Sequence, residues 1–330
     1  MTKRQKVLIT GGAGYIGSHV LDLVAQQNCE VFVLDDLSTG HNWAVRDYPL
    51  IRCNLLDYDG LLTQCGGIGF DSVMHFAAKS IVSDSVKTPL DYYQNNVVGS
   101  LNLMKFVEHE KIEKFIFSST AAVYGNPIKT IIDEAHPINP INPYGRSKLT
   151  VESMLMDLAA STGINVVCFR YFNAAGANPK NGIGEAHEPE THLIPNILKS
   201  IATANAGPLD IFGDNYATHD GTCVRDYVHV MDIASAHVKG LEWLDHNSGC
   251  FIFNLGSGKG YSVLEVVKTC EEITGITAEY IVQEPRVGDP PVLVANSDLA
   301  KLCLGWMPSY SLEEIISDAY EWLSVYSKTS

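Results

Sequence analysis

A glycine-rich turn that follows a short apolar strand is the feature that most restricts how this 330-residue chain can fold. Residues 7–10 predict a buried strand, and residues 11–17 (GGAGYIG) follow it directly. Gly11, Gly14 and Gly17 form G-x-x-G-x-x-G, and the overlapping pattern G-x-G-x-x-G is also present. Glycines let the backbone turn tightly and approach a pyrophosphate, while the following helix offers free N–H groups and its positive dipole end. The turn therefore predicts a bound dinucleotide at the start of the first helix.

The second predicted strand, residues 31–35, ends in the acidic pair Asp35 and Asp36. This pair comes about 20 residues after the glycine turn. A carboxylate at Asp35 would accept hydrogen bonds from the adenosine ribose hydroxyls and would repel a 2′-phosphate, so we expect NAD rather than NADP. The alternative for an acid at this place is a helix cap or a solvated turn. That alternative suits Asp36 better than Asp35.

Strand and helix patterns alternate along the chain to about residue 173. Short β-branched or aromatic runs predict strands at residues 7–10, 31–35, 72–76, 115–118, 166–169 and 251–255, with helical periods at 19–27 and 97–109. Strands that alternate with helices form βαβ units. The pattern therefore predicts an α/β fold with a doubly wound parallel sheet of the Rossmann type.

The organisation changes after about residue 173, where Gly, Pro and Asn become frequent. Residues 228–255 again predict strand, helix and strand, and serine-capped helices are predicted at 262–274 and 311–324. We therefore expect an NAD-binding domain at residues 1–180 with a returning segment at about 226–256. A smaller α/β substrate-binding domain is expected at 181–330.

Charge and cysteine content exclude several classes of function. With a net charge of -15 and a pI near 5.1, no basic face is expected to neutralise many phosphates, so we expect no nucleic-acid partner. The eight cysteines are scattered, without a C-x-x-C pair or a metal-like Cys/His spacing, which predicts a reduced cytoplasmic protein without a metal site. No apolar stretch has the length of a membrane span, so no membrane partner is expected.

A tyrosine and a lysine four residues apart carry the candidate chemistry. Tyr144 and Lys148 fall on one face of a helix whose start is marked by Asn142 and Pro143. A lysine cation and a positive nicotinamide ring both favour the phenolate, so we expect the pKa of Tyr144 to fall toward neutral pH, where it can act as a base. The alternative is a packed aromatic ring beside a solvated lysine.

The hydroxyl run Ser118-Ser119-Thr120 stands at the carboxyl end of the strand predicted at 115–118. Ligands bind at that end of a parallel sheet. A hydroxyl from Ser119 or Thr120 could therefore hydrogen-bond the reacting oxygen, and a plain helix cap is the competing explanation.

Six motifs share one resemblance: GGAGYIG (11–17), HFAA (75–78), SST (118–120), Tyr144 with Lys148, RYFN (170–173) and VRDYVH (224–229). Together they resemble the extended short-chain dehydrogenase/reductase family of NAD-dependent epimerases and dehydratases, over nearly the whole chain. The stretches RYFN, GTCVRD (221–226) and RVGD (286–289) are most similar to the epimerases of that family.

The resemblance implies a role for individual residues. Tyr144 is the implied base, Thr120 its hydroxyl partner, and Lys148 the residue that tunes Tyr144 and holds the nicotinamide ribose. The implied NAD-binding residues are Gly11, Gly14, Tyr15, Ile16, Gly17, Asp35, Asp36, Asn54, Leu55, Phe76, Ala77, Ala78, Asn95, Ser118, Tyr144, Lys148 and Tyr171. The implied substrate-binding residues are Thr120, Tyr144, Phe172, Asn173, His192, Leu193, Asp210, Phe212, Arg225, Tyr227, Arg286, Asp289 and Leu293. An acidic protein that binds a diphosphate needs local cations such as these arginines, for which surface ion pairs are the alternative.

Several positions depart from the family pattern. Asn54 stands where an aspartate near the adenine is usual, Ser80 where a lysine near the pyrophosphate is usual, and His192 where an asparagine near the uracil is usual. An amide can still bind adenine, whereas the missing cation at Ser80 would loosen the cofactor unless Lys79 replaces it. The pair at residues 121–122 is Ala-Ala where dehydratases of the family carry acids, so elimination of water lacks an acid and a base.

The implied function is that of an isomerase that interconverts UDP-galactose and UDP-glucose through a transient 4-keto sugar and tightly bound NAD. Leu293 stands where a bulky tyrosine would exclude a 2-acetamido group, so UDP-GlcNAc and UDP-GalNAc are further candidate substrates. A net oxidoreductase or decarboxylase of a nucleotide sugar and a non-catalytic NAD sensor are the competing functions. The resemblance also implies a homodimer through helices at 97–109 and 149–160, for which core packing is the alternative explanation.

Overall fold

Seven strands form one parallel sheet in this computed structural model, which describes residues 4–202, 207–286 and 289–326. Numbered along the chain, they are β1 (Lys6–Thr10), β2 (Glu30–Asp35), β3 (Leu50–Arg52), β4 (Ser72–His75), β5 (Lys114–Ser118), β7 (Asn165–Tyr171) and β11 (Cys250–Leu255). Their order across the sheet is β3-β2-β1-β4-β5-β7-β11, and every neighbouring pair is parallel.

The sheet is covered on both faces because its strands are apolar on both faces. The helices are α1 (Tyr15–Gln26), α2 (Asn42–Val45), α3 (Tyr58–Cys65), α4 (Val82–Lys87), α5 (Pro89–Tyr92), α6 (Gly99–Glu110), α7 (Pro143–Thr162), α8 (Leu193–Ala202), α9 (Val230–Leu244), α10 (Val263–Thr274), α11 (Asp298–Leu304) and α12 (Leu312–Tyr326). In β1, Val7 and Ile9 belong to a core shared with α1 and α9, whereas Leu8 belongs to a core shared with α3, α6 and α7. Side chains that alternate along a strand produce this division.

The strand order reverses between β1 and β4, which are neighbours in the sheet. A crevice for ligands lies outside the carboxyl ends of the strands at such a point. His75, the last residue of β4, fastens this edge, because its Nδ1 lies 2.7 Å from Thr10 Oγ1 and its Nε2 lies 2.8 Å from Ser100 Oγ. Burial, assisted by the nearby Lys148, lowers the pKa of His75 to about 3, so the ring is neutral.

The remaining strands build two smaller sheets in a second lobe. They are β6 (Ile131–Ile132), β8 (Asn173–Ala175), β9 (Leu209–Phe212), β10 (Val224–His229), β12 (Gly260–Ser262), β13 (Tyr280–Gln283) and β14 (Val292–Ala295). One sheet has the order β12-β10-β14-β6 with β8 paired to β10, and the other pairs β9 with β13. A third apolar core joins α8, α10 and α12 through side chains such as Ile197, Val266 and Ile316.

The α/β class with a large parallel sheet is confirmed, and so is the serine cap of α10, where Ser262 and Glu265 form a capping box. The segment expected to return to the first sheet, at about 226–256, reaches that sheet only in its second part. The return consists of α9 and β11, whereas β10 pairs with β8, β12 and β14, a long-range choice that local apolar patterns do not encode. The division at about residue 180 stays a prediction.

Among the described residues, no helix has both the length and the apolarity needed to cross a membrane.

Candidate active site

The glycine turn leaves the start of α1 open. Gly11 has φ +72°, and a Cβ there would lie 2.4 Å from the backbone nitrogen of Ala77. A Cβ at Gly17 would lie 2.2 Å from the carbonyl oxygen of Gly11, so internal packing requires both glycines. A Cβ at Gly14, the N-cap, would come no closer than 3.3 Å to its nearest neighbour. No side chain caps this helix and its first turn has no acid, which keeps its positive end available to an anion.

Tyr15 and Ile16 begin the helix, and the Tyr15 side chain turns away to the second lobe. Its hydroxyl donates to the carbonyl oxygen of Gly176 over 2.7 Å. Burial, and then the carboxylates of Glu185 and Glu190, raise its pKa. The phenol is therefore neutral and ties the glycine turn to the segment after β8.

The two acids after β2 have different surroundings. Asp35 is buried, and its carboxylate accepts the backbone N–H groups of Ala13 over 3.0 Å and Leu37 over 2.9 Å. Burial raises its pKa against these two bonds, which lower it. Asp36 accepts the N–H of Ser38 over 2.8 Å, which is the turn role given above as its alternative. Asp35 is thus the acid held against the glycine turn.

The neighbouring NAD candidates line the ends of β1, β3 and β4. Phe76 and Ala77 each donate a backbone N–H to the carbonyl oxygen of Thr10, at 2.8 and 3.1 Å, and Ala78 follows them. Asn54 donates to Asp36 Oδ2 over 2.6 Å, so one of its amide hydrogens is already engaged, and Leu55 beside it is buried.

A π-helix (Tyr93–Val98) carries two asparagines toward the ends of β1, β3 and β4. Asn95 donates to Asn96 Oδ1 over 3.0 Å, and Asn96 donates to Ser147 Oγ over 3.1 Å, one residue before Lys148. Sequence reasoning missed Asn96, although π-turns inside helices are frequent at functional sites. Near this edge, the Lys79 ammonium lies 4.0 Å from the Asp91 carboxylate and is largely exposed, so its replacement of a cation at Ser80 stays a prediction.

Tyr144 and Lys148 lie on the first two turns of α7, as their spacing predicted. The Asn142 side chain accepts the N–H of Gly145 over 2.8 Å and Pro143 is the first helical residue, which fixes where the helix begins. Both side chains are buried. Lys148 Nζ donates to the carbonyl oxygen of Ser118 over 2.8 Å and lies 4.9 Å from the centre of the Phe117 ring. The alternative of a solvated lysine does not apply.

The pKa of Tyr144 differs from the expectation. Burial raises it, and a hydrogen bond with Thr120 lowers it by less, so the protein's own groups do not bring it toward neutral pH. Burial also lowers the pKa of Lys148 to about 7, against the opposing effect of Glu152. The lowering of the Tyr144 pKa expected from the lysine is absent, because a lysine with a pKa of about 7 carries only part of a positive charge at neutral pH.

Thr120 is the hydroxyl of the SST run that lies beside Tyr144. Ser118 Oγ hydrogen-bonds the Tyr171 hydroxyl, and Ser119 donates to Glu152, a buried carboxylate. Thr120 accepts the N–H of Ala122 over 3.1 Å, so it is a cap as well as a partner of Tyr144. Of the two hydroxyls considered, only Thr120 is free of the Glu152 network.

Arg170, in the RYFN motif, forms a buried ion pair with Glu152. Its guanidinium contacts Glu152 through Nε at 2.9 Å and Nη2 at 2.5 Å, and its Nη1 donates to the Tyr124 hydroxyl over 3.1 Å. Both charged groups are fully buried, which requires the paired geometry seen here. Glu152 was missed in the sequence because an acid inside an amphipathic helix does not indicate burial.

Four of the predicted nucleotide residues contact one another as two pairs in the second lobe. Arg225 forms an ion pair with Asp289, and it is paired in register with Leu293 between β10 and β14. The Arg286 guanidinium lies 4.0 Å from the centre of the Phe212 ring. Val287 and Gly288 of the RVGD motif lie outside the described residues.

Other substrate candidates are already engaged within the protein. Asp210 accepts from Gln283 over 2.7 Å, and Asn173 donates to the carbonyl oxygen of Asp226 over 3.0 Å. Phe172 is buried in a cluster against which Leu293 packs, and Tyr227 is also buried.

His192, just before Leu193 at the start of α8, has acidic neighbours. Its Nδ1 lies 2.7 Å from Glu185 Oε1 and 2.9 Å from Glu190 Oε1. Burial lowers its pKa, but the two carboxylates outweigh burial and raise it to about 10. The sequence signal that was overlooked is E-x-H-x-x-E-x-H over residues 185–192.

Comparison with known proteins gives one consistent family. A family model described as NAD dependent epimerase/dehydratase family matches residues 7–256. The UDP-glucose 4-epimerase of Halalkalibacterium halodurans is 45% identical over 317 residues, which are 96% of this chain and 95% of that protein.

Solved structures are similar over the same extent. The UDP-glucose 4-epimerase from Brucella ovis in complex with NAD has a TM-score of 0.92 at 42% identity, covering 96% of this chain and 97% of that one. The UDP-Glc/GlcNAc 4-epimerase from Campylobacter jejuni has a TM-score of 0.85 at 39% identity, covering 97% and 99%.

Proposed function

The chain belongs to the NAD dependent epimerase/dehydratase family, and from this we propose that it is a UDP-glucose 4-epimerase. It is an isomerase that interconverts UDP-galactose and UDP-glucose and uses NAD as a tightly held cofactor. The single observation that carries the mechanism is the buried pair of Tyr144 and Lys148 on α7, with Thr120 beside the phenol.

The residues around the glycine turn fit NAD. The uncapped start of α1 suits a pyrophosphate, and the fixed carboxylate of Asp35 suits ribose hydroxyls but not a 2′-phosphate. When bound, NAD supplies the acceptor and then the donor of the C4 hydride, so the sugar passes through a transient 4-ketone without net redox change.

The chain's own groups move the proton. Tyr144 Oη removes the proton from the sugar 4-hydroxyl and later returns it, and Thr120 shares a hydrogen bond with the phenol. Lys148, whose pKa is about 7, supplies a cation that is partly charged at neutral pH. Charges act strongly in this buried place because little water screens them.

The second lobe grips the nucleotide. We assign the UDP portion to Asn173, Arg225, Arg286 and Asp289, and the uracil side to His192 and Phe212. Arg225 and Arg286 supply cations to a diphosphate in a protein of net charge -15. A firmly bound nucleotide and a loosely held sugar let the 4-ketone turn over between the two hydride transfers.

One assay separates this function from its competitors. Purified protein is mixed with UDP-galactose without added NAD, and UDP-glucose is measured. An epimerase that retains its cofactor converts the sugar, a net oxidoreductase or decarboxylase stalls after the bound NAD is used, and a sensor gives no product. Stalled turnover that resumes when NAD is added continuously would contradict the proposal.

A wider substrate range has its own support. Leu293 packs against the cluster of Phe172 and is smaller than a tyrosine. The Campylobacter jejuni neighbour is a UDP-Glc/GlcNAc 4-epimerase. We propose that this chain also interconverts UDP-GlcNAc and UDP-GalNAc, which a parallel assay of both sugar pairs tests.

We further propose a cytoplasmic homodimer that pairs α6 and α7 of two copies. All eight cysteines lie within the described residues and each is a free thiol, which suits a reducing compartment. Leu101 on α6 and Met156 on α7 remain 39% and 41% exposed, so core packing does not account for every apolar side chain of these helices. Sedimentation velocity of the purified protein tests the dimer.

A further inference from the structure

Four metal-ligating side chains converge in the segment before α8. They are Glu185, His187, Glu190 and His192, and one ligand atom from each lies within 4.8 Å of all the others. Two are imidazoles and two are carboxylates, a donor set that suits a divalent transition metal. The set comes from eight consecutive residues, so a single loop brings it together.

The distances between these atoms lie on both sides of those in a four-coordinate site. His192 Nδ1 lies 2.7 Å from Glu185 Oε1, His187 Nδ1 lies 3.1 Å from the same oxygen, and His187 Nδ1 lies 4.0 Å from Glu190 Oε2. Ligands at about 2.0–2.2 Å from a tetrahedral Zn²⁺ are separated by roughly 3.3–3.6 Å. Small movements of the side chains would place these atoms around one ion.

An unsatisfied carboxylate oxygen is the second observation. The Glu190 side chain is only 3% exposed. Its Oε1 accepts the N–H groups of Thr191 and His192, at 2.8 and 2.9 Å, but its Oε2 is buried and has no hydrogen-bond partner among the described residues. A buried carboxylate oxygen without a partner is costly. This oxygen lies 4.0 Å from His187 Nδ1.

We propose that Glu185, His187, Glu190 and His192 bind one divalent transition-metal ion, with Zn²⁺ the expected species. Four protein ligands close the coordination sphere, so the ion is structural. The loop packs on the cofactor turn, because the His187 and Tyr15 rings lie edge to face at 6.4 Å and the carbonyl oxygen of Ala186 lies 2.7 Å from His41 Nε2. The ion would therefore fasten the start of α8 beside the glycine turn.

The test uses full-length protein without a histidine tag, freed of metal with a chelator and dialysed. Zn²⁺ is titrated by calorimetry, and Co²⁺ is added separately because a four-coordinate Co²⁺ site gives strong visible absorption. We expect one ion per chain, and a rise in Tm of a few degrees when Zn²⁺ exceeds its Kd about 100-fold.

Two variants address the ligands and one is a matched control. Glu190→Gln keeps the oxygen that accepts the two N–H groups, and His187→Asn removes one imidazole. Both should fold, which circular dichroism checks, and both should weaken Zn²⁺ binding at least tenfold and lose the Co²⁺ absorption. His219→Asn removes an exposed histidine that lies 3.3 Å from Glu265, and it should change neither readout.

Three outcomes would overturn the proposal. The first is no saturable binding of Zn²⁺ or Co²⁺ by the wild-type protein. The second is binding that survives in folded Glu190→Gln and His187→Asn. The third is binding that His219→Asn abolishes, which would mark an adventitious surface site.

Discussion

The ammonium of Lys148 donates to the carbonyl oxygen of Ser118 over 2.8 Å, and this bond fastens α7 to the carboxyl end of β5. Tyr144 lies one turn earlier on the same helix, so its phenol is positioned by the sheet through the lysine. Lys148 thus acts on the position of the base.

Tyr144→Phe should leave NAD bound and lower kcat by roughly 10²–10⁴-fold, because the ring still packs while the proton acceptor is lost. The measurements are the NAD content of the purified protein and the rate of UDP-galactose conversion. Tyr48→Phe is the control, since that hydroxyl bonds Asp22 away from the site. Equal turnover in the two variants would refute the assignment.

Gly14→Ala should fold normally but lower NAD affinity roughly tenfold or more, because its Cβ would meet no protein atom closer than 3.3 Å and would stand where the pyrophosphate approaches. Gly17→Ala should disturb the turn itself, since its Cβ would lie 2.2 Å from the carbonyl oxygen of Gly11. Thermal unfolding and NAD titration of both variants distinguish these effects. Unchanged NAD affinity in Gly14→Ala would mean that the pyrophosphate binds at another place.

Acid should destabilise the protein partly through His75. Its pKa is about 3 in the folded state against 6.5 for an ordinary histidine, so the unfolded chain binds a proton that the folded chain does not. The stability that this neutral ring contributes is present above about pH 6.5 and is lost as the pH falls toward 3. Between pH 7 and 5 the wild-type protein should lose about 2 kcal/mol more than His75→Gln.

Urea unfolding of both proteins at the two pH values measures this difference. His109→Gln is the control, because that side chain is largely exposed. A pH dependence that is the same in the wild-type protein and in His75→Gln would rule out this source.

Arg170→Met should lower the free energy of unfolding by about 3–5 kcal/mol, because it leaves the Glu152 carboxylate buried without its partner. Lys268→Met breaks an exposed pair with Glu272 and should change it by less than about 1 kcal/mol. Chemical denaturation compares the two. If Arg170→Met lowered the free energy of unfolding no more than Lys268→Met does, Glu152 would have found another partner or taken up a proton.

Leu293→Tyr should retain conversion of UDP-galactose and abolish that of UDP-GalNAc, because the ring would fill the space for a 2-acetamido group. The ratio of kcat/KM for the two sugars is the measurement. Leu293→Met, which conserves volume, serves as the control. An unchanged ratio in the tyrosine variant would place the acetamido pocket elsewhere.

Local patterns account for the parts that sequence predicted well. The glycine turn, the strand ends at Asp35 and Ser118, and the cap at Asn142 each depend on residues within a few positions of one another. The four-residue spacing placed Tyr144 and Lys148 on one helical face, because the helical period does so wherever the helix forms.

Long-range pairing accounts for the parts that it did not predict. The partner of Glu152 is 18 residues away on β7, and β10 pairs with three strands that are separate along the chain, β8, β12 and β14. When a strand is apolar enough to fit either sheet, its own sequence does not predict which sheet it joins. The sequence likewise did not indicate that burial raises the pKa of Tyr144, because burial depends on the packing around α7.

The position of β11 at the edge beside β7 has a consequence for how this protein can be divided. The chain visits the second lobe before it adds α9 and β11, so a cut at residue 180 would leave the hydrogen-bonding edge of β7 bare and the apolar side of α1 without α9. Such a fragment would aggregate through that open edge. Truncations that keep only the amino-terminal half should therefore yield insoluble material.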